Sequence, residues 1–213
     1  MQHRLNQILL NVCRRRLQTP RAEVQIAPTG SGEQSLAETR FLSELGRESD
    51  PSRPIVKIGT LFGYPTKLIC LAEPIGQVFL TVVNYSWNPA ELSSEDHLQL
   101  TSTVLAPLVE HENVVQIREN KDESYSKYSF QPPALVFLDA VHSYSATLAD
   151  LEWASSVGAL IISGDEFSPD VFPGVVKAVA ELGGTARVVD KLFRLSGATP
   201  VKSRWSRCGS DPG

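Results

Sequence analysis

The chain has 213 residues, of which 42% are hydrophobic, and a formal net charge of −4. That size and composition suit one generous globular domain with an added arm, and the slight acidic balance provides no basic face with which to hold a nucleic-acid backbone. No apolar run approaches the roughly 20 residues that cross a bilayer, so no stable membrane insertion is expected. The three cysteines, Cys13, Cys70 and Cys208, form no CxxC or Cys/His pattern and read as free thiols of a cytoplasmic protein.

In chain order, His3, Arg4 and Arg14–Arg16 surround Leu5, Ile8, Leu9, Leu10, Val12, Cys13 and Leu17. A signal peptide would place its charges ahead of a longer apolar core, whereas this spacing predicts an amphipathic helix with a basic face. Such a helix docks on its own domain or on a second subunit, which makes a homodimer through this arm an expectation. Pro20 ends the helix, and Pro28-Thr29-Gly30-Ser31-Gly32 reads as a linker. Residues 1–33 are therefore arm and linker, 34–199 the folded domain and 200–213 a flexible tail.

Ser35-Leu36-Ala37-Glu38 has the form of a capping box, and Leu36, Phe41, Leu42 and Leu45 give a helical stripe that runs out near Gly46. A first strand at Pro54–Ile58 leads through Gly59-Thr60-Leu61-Phe62-Gly63-Tyr64-Pro65-Thr66 into a helix. Two glycines four apart let the backbone approach a ligand, and Pro65 suits the first turn of a helix. Strands follow at 77–83 and 114–117, with a helix at 95–111 between them that contains Pro107. Residues 118–129 are a loop or a short helix.

The next two strands end in acid. Leu135-Val136-Phe137-Leu138 runs into Asp139, and Leu160-Ile161-Ile162-Ser163-Gly164 into Asp165 and Glu166. Continuous apolar runs of this length read as strands buried on both faces, and their C-terminal ends are where open α/β sheets bind ligands. Acids at such ends also have a plain reading as caps of the following helices, which is preferred for Asp150 and Asp170. Helices at 145–156 and 173–182, then strands at 186–190 and 192–196, complete the domain. The rhythm predicts an α/β, doubly wound, mostly parallel seven-stranded sheet with an antiparallel edge strand.

These motifs resemble class I S-adenosylmethionine-dependent methyltransferases over residues 36–196, and most of all the small, cation-dependent type of O-methyltransferase. The segment Asp139-Ala140-Val141-His142-Ser143-Tyr144 is similar to that group's Asp-Gly-x-His-Ser-Tyr pattern. The resemblance implies S-adenosylmethionine as cofactor, held by Gly59, Thr60, Gly63, Tyr64, Asn84, Asn120 and Asp139. It also implies a divalent cation such as Mg²⁺ on Asp139, Asp165 and Glu166, a small-molecule acceptor, and a catalytic pair of Asp139 and His142. His142 has the spacing of the family's general base, and an imidazole can take an acceptor's proton; its other reading is a ring that only bonds the loop or caps the helix. Trp87 and Tyr144 are candidates for the acceptor wall.

The donor side departs from the pattern. Lys57 stands where an acid is usual, Pro65 where a serine is usual, and Val82-Val83-Asn84 where an acid ends the second strand, Val83 taking the acid's place and Asn84 still able to bond a hydroxyl, while Glu119-Asn120-Lys121 replaces a small residue. Two placements of Lys57 are open: in the pocket beside a sulfonium, a like-charge clash, or snorkelling from the strand edge and touching nothing in the pocket. A methyltransferase-like fold that binds or scaffolds without transferring methyl groups is the alternative function.

Overall fold

The computed structural model describes residues 26–27, 30–31, 34–60, 62–72, 78–81, 92–110, 114–183 and 185–196. The expected N-terminal helix, the tail, Asn84, Trp87, Cys13 and Cys208 lie outside the described residues. Within the segment read as a linker, Ile26–Ala27 pairs antiparallel with Gly30–Ser31.

Among the described residues, seven strands form one sheet. They are β1 (Ile55–Ile58), β2 (Val78–Thr81), β3 (Val114–Ile117), β4 (Leu135–Leu138), β5 (Ile161–Gly164), β6 (Thr185–Val189) and β7 (Leu192–Ser196). Their order across the sheet is β3-β2-β1-β4-β5-β7-β6. The first five pair in parallel, and β7 runs antiparallel to both β5 and β6. The antiparallel strand thus stands one place in from the edge, with β6 outside it. The hairpin between β6 and β7 is short enough to read from sequence, but nothing local decides which member docks on β5.

Six helices are described: α1 (Leu36–Glu48), α2 (Tyr64–Ala72), α3 (Ser94–Glu110), α4 (Lys121–Lys127), α5 (Tyr144–Ser156) and α6 (Pro173–Glu181). They cover both faces of the sheet. Ile55, Leu135, Phe137 and Ile161 pack with Phe41, Leu42 and Leu45 of α1, Ile69 and Cys70 of α2, and Leu105 and Leu108 of α3. On the other face Val56, Ile58, Val136, Leu138 and Ile162 meet Tyr125, Leu151, Trp153, Val175 and Val179 from α4, α5 and α6. Burial on both faces explains why β4 is apolar without alternation and why β1 and β5 are interrupted only by Lys57 and by Ser163.

The capping box of α1 forms as its sequence requires. Ser35 Oγ accepts from the Glu38 N–H at 3.1 Å, and Glu38 Oε2 accepts from the Ser35 N–H at 2.8 Å. Residues 121–127 resolve the open choice between loop and helix in favour of α4, whose N-cap is Asn120. Asp150 is not a cap. It lies inside α5, only 2% exposed, where it is bonded to the Lys121 ammonium and accepts from the Tyr125 hydroxyl at 2.8 Å. Asp170 is exposed in the turn ahead of α6, whose N-cap is Phe172 with no side-chain cap bond.

Gly59 has φ +81°, and a Cβ there would stand 2.1 Å from the Asp139 carbonyl oxygen. Gly183 has a similar φ of +77° but nothing within 4 Å of its virtual Cβ. The pair separates backbone strain from steric closure. Gly183→Ala is expected to lower stability by about 1 to 2 kcal/mol, the left-handed penalty alone. Gly59→Ala adds a backbone clash and is expected to cost at least about 3 kcal/mol, as urea unfolding of the two variants would measure.

Candidate functional site

The parallel register builds the site. Ile58 pairs with Leu138 and Leu138 with Gly164, so the residues one step beyond, Gly59, Asp139 and Asp165, emerge side by side at the C-terminal edge. The ladder continues into them: the Asp139 N–H donates to the Ile58 carbonyl at 2.8 Å and the Asp165 N–H to the Leu138 carbonyl at 3.0 Å. β1 has β2 on one side and β4 on the other, so strand order reverses between β1 and β4, the place where such sheets open a crevice.

Lys57 decides the electrostatics of that crevice. Its side chain is fully buried, and its ammonium donates to the Gly59 carbonyl at 2.6 Å and to Asp139 Oδ2 at 2.6 Å. The Nζ lies 5.5 Å from the centroid of the Phe137 ring, its cross-strand neighbour. The snorkelling placement is therefore corrected: Lys57 shares one face of β1 with Ile55 at period two, and its ammonium reaches past the strand end to the Gly59 carbonyl and Asp139. A buried ammonium has no water to bond, so it takes the nearest carboxylate and carbonyl.

Asp165 and Glu166 complete the acidic end. Asp165 Oδ1 accepts from the Glu166 N–H at 2.6 Å, and Glu166 adopts φ 57°. Burial holds the Asp165 carboxyl well above its ordinary value of 3.8, and the charges of Asp139 and Glu166 push it the same way. Lys191, in the β6–β7 turn, lies 3.4 Å from Glu166 Oε1. Burial works against the Lys191 ammonium, but Glu166, Asp165 and Glu38 outweigh it and raise its pKa. Glu38 Oε1 also accepts from the Lys191 N–H at 3.1 Å, which ties the start of α1 to this turn. Glu38 itself is raised by burial.

This arrangement does not fit the divalent ion that the resemblance implied. Asp139 is committed to an ammonium and Glu166 has Lys191 beside it. Among the described residues no three His, Cys, Asp or Glu side chains are grouped to hold a metal. The expected set of Asp139, Asp165 and Glu166 shares one edge without forming a cation cage.

The glycine loop is held from below. Gly63 has φ +80°, Phe62 is buried against the His97 ring with centroids 4.9 Å apart, and the Lys67 N–H donates to the Gly63 carbonyl at 2.9 Å to start α2. Thr60 is 8% exposed, and its Oγ1 is buried without a hydrogen-bond partner. His142, half-buried in the loop after β4, packs edge-on against Phe172 at 5.2 Å, and its Nε2 is likewise buried without a partner. Tyr64 opens α2. Asn120 is exposed, and its Oδ1 accepts from the Asp122 N–H at 2.8 Å. The Tyr144 hydroxyl donates to Glu181 at 2.5 Å, linking α5 to α6.

No protein-family profile matches this sequence and no curated protein matches it. Solved structures do. A Klebsiella pneumoniae protein assigned as an O-methyltransferase has a TM-score of 0.58 at 20% identity, over 90% of this chain and 87% of its own. An O-methyltransferase from Bacillus cereus, solved with S-adenosylhomocysteine, gives 0.57 at 16% identity over 90% and 89%. The O-methyltransferase TomG of Streptomyces achromogenes, solved with S-adenosylmethionine, gives 0.56 at 17% identity over 90% and 87%. The fold is that of the S-adenosylmethionine-dependent O-methyltransferases. Within this methyltransferase fold the sequence pattern led to Gly59, Asp139, Asp165 and Glu166 and marked Lys57 as a departure; the structure puts the Lys57 ammonium on Asp139 and adds Glu38 and Lys191. The signal for Lys57 was a single basic residue inside an otherwise apolar central strand.

Two substitutions test the charge arrangement. Asp139→Asn leaves the Lys57 ammonium buried without its counter-charge and is expected to cost about 3 kcal/mol, the low end for a broken buried pair because the Asp139 side chain is 17% exposed. Asp165→Asn is expected to stabilise the chain at pH 7. An acid raised on folding binds its proton more tightly in the folded state, so its contribution falls as pH climbs from 3.8 through the raised folded value. The gain of Asp165→Asn should therefore be absent near pH 4 and grow as pH climbs towards the raised folded value, read from urea midpoints at several pH values above 4.

Proposed function

We propose that this chain binds S-adenosylmethionine at the edge where β1 and β4 end and transfers its methyl group to a hydroxyl of a small molecule, without a divalent ion. The observation that carries the reading is the pair of buried, partnerless polar atoms in the two loops flanking the β1/β4 crevice: Thr60 Oγ1 and His142 Nε2. Buried polar atoms are nearly always bonded, so two in adjoining loops mark a place for a ligand.

Gly59, Thr60, Gly63 and Tyr64 would hold the donor's amino-acid and ribose portions, with Asn84 and Asn120 on the nucleoside side. The bound donor supplies an electrophilic methyl group on a sulfonium. The Lys57 ammonium does not repel that sulfonium as an isolated charge would, because Asp139 balances it at 2.6 Å. On the acceptor side, His142 takes the hydroxyl proton as the new bond forms. Phe172 packs against the His142 ring, and Val141 and Val171, their neighbours in sequence, are exposed, which suits an acceptor carrying an aromatic or aliphatic body. Positioning for in-line displacement supplies most of the rate. Without a metal to grip two oxygens, a single hydroxyl is enough.

The alternative, a methyltransferase fold that binds without transfer, draws on Lys57 standing where an acid is usual. Calorimetry in EDTA separates the two. We expect S-adenosylmethionine and S-adenosylhomocysteine to bind in about the micromolar range, with no change on adding Mg²⁺. His142→Gln should keep that binding and lower methyl transfer to a panel of phenols and alcohols by about a hundredfold or more. Absence of binding at millimolar nucleoside removes the reading, and binding without transfer to any acceptor leaves the alternative. No helix among the described residues is long and apolar enough to cross a membrane. A homodimer through the N-terminal arm is part of the same proposal.

A further inference from the structure

An ammonium in the middle of a central strand is expensive to bury unless a close counter-charge and filled hydrogen bonds accompany it. Lys57 has both, and it has no way out: its side chain is 0% exposed, with Phe137 beneath it and Gly59 and Asp139 at its tip. The Lys191 ammonium at Glu166 is different, since its side chain is 46% exposed and can swing into water. Three carboxylates, Asp139, Asp165 and Glu166, thus meet one fixed cation and one movable one.

We propose that the Lys57 ammonium is a resident cation that takes the electrostatic place of a divalent metal in this crevice, closing the wild-type site to divalent ions. Removal of that single charge opens it. A metal sharing the Asp139 oxygen would bond it at about 2.0 to 2.6 Å, and Nζ already stands 2.6 Å from that oxygen. The two cations would then lie within roughly 5 Å of each other, where their repulsion lowers affinity by several decades. Once Lys57 is neutral, the same repulsion is absent and the three carboxylates are left without their fixed counter-charge. The inference rests on the crevice and holds equally for a chain that transfers no methyl groups, so its failure and that of the transfer reaction are separate results.

The test is Mn²⁺ binding to the full-length chain, followed by electron paramagnetic resonance, for wild type, Asp165→Asn, Lys57→Met and Lys57→Met combined with Asp165→Asn. The wild type is expected to show no saturable site tighter than about 1 mM. Lys57→Met should gain a site at least about a hundredfold tighter, and the added Asp165→Asn should abolish it. A submillimolar wild-type site that Asp165→Asn removes overturns the proposal, as does a folded Lys57→Met chain with no gain. Where Lys57→Met does not fold alone, Lys57→Gln carries the same expectation. Where neither folds, refolding in millimolar Mn²⁺ is the readout: recovery supports the proposal and continued failure overturns it.

Discussion

The ion pair between Lys57 and Asp139 is the constraint on which the rest of the site depends. It joins β1 to β4 across the point where strand order reverses. The lysine's methylenes fill space over Phe137 that an aliphatic side chain could fill, while its tip bonds Gly59 and Asp139. A pair of this kind adds little net stability over an apolar substitute, because desolvating both ions offsets their attraction. What it adds is position. The Gly59 carbonyl and the Asp139 carboxylate each have one orientation that satisfies the ammonium, so the two loops that flank the crevice are held in register.

From that pair outward, charge alternates. Asp139 is balanced by Lys57, Glu166 has Lys191 beside it, and Asp165 between them has no ammonium of its own at bonding distance among the described ion pairs. Burial and two neighbouring carboxylates therefore act on Asp165 together. The β6–β7 turn closes this end of the crevice through backbone bonds as well as charge: the Phe167 N–H donates to the Lys191 carbonyl at 2.7 Å, and the Ser35 hydroxyl at the start of α1 donates to Asp190. The capping box of α1 is thus part of the site's frame. Glu38 serves three groups at once: it caps the helix, holds the turn and adds its charge to the acidic cluster.

What was legible in the sequence was what local physics dictates. The box at Ser35 and Glu38 is written within four residues, and the buried strands show as unbroken apolar runs because both faces are covered. The acids at the ends of β4 and β5 could be placed together because parallel strands in one sheet end on one edge. The misreadings were long-range. Asp150 finds Lys121 across 29 residues and Lys57 finds Asp139 across 82, and no spacing rule in the chain encodes either meeting. Likewise, the hairpin of β6 and β7 was readable from its turn, but its docking order on β5 depends on the completed sheet. The metal set turned on a long-range contact too: the three carboxylates share one edge, and the cation that Asp139 accepts comes from a residue 82 positions away in the chain.

A lysine and a divalent ion solve the same electrostatic problem with different geometry. Mg²⁺ demands about six oxygens near 2.1 Å and holds its ligands in an octahedron, so an acceptor bound to it presents paired oxygens and its proton is already loosened by the metal. An ammonium offers three donors and only one positive charge, and at Lys57 two of those donors are engaged by Gly59 and Asp139. In the proposed reaction the hydroxyl then gains little acidity from the cation, and deprotonation falls to a group that can take the proton directly. His142, with a buried Nε2 that nothing in the protein bonds, stands beside the same strand end. In that proposed reaction a lysine in β1, where an acid is usual, would move the chemical burden from the acids of β4 and β5 to the imidazole that follows β4, and favour acceptors recognised by their apolar body over acceptors that chelate.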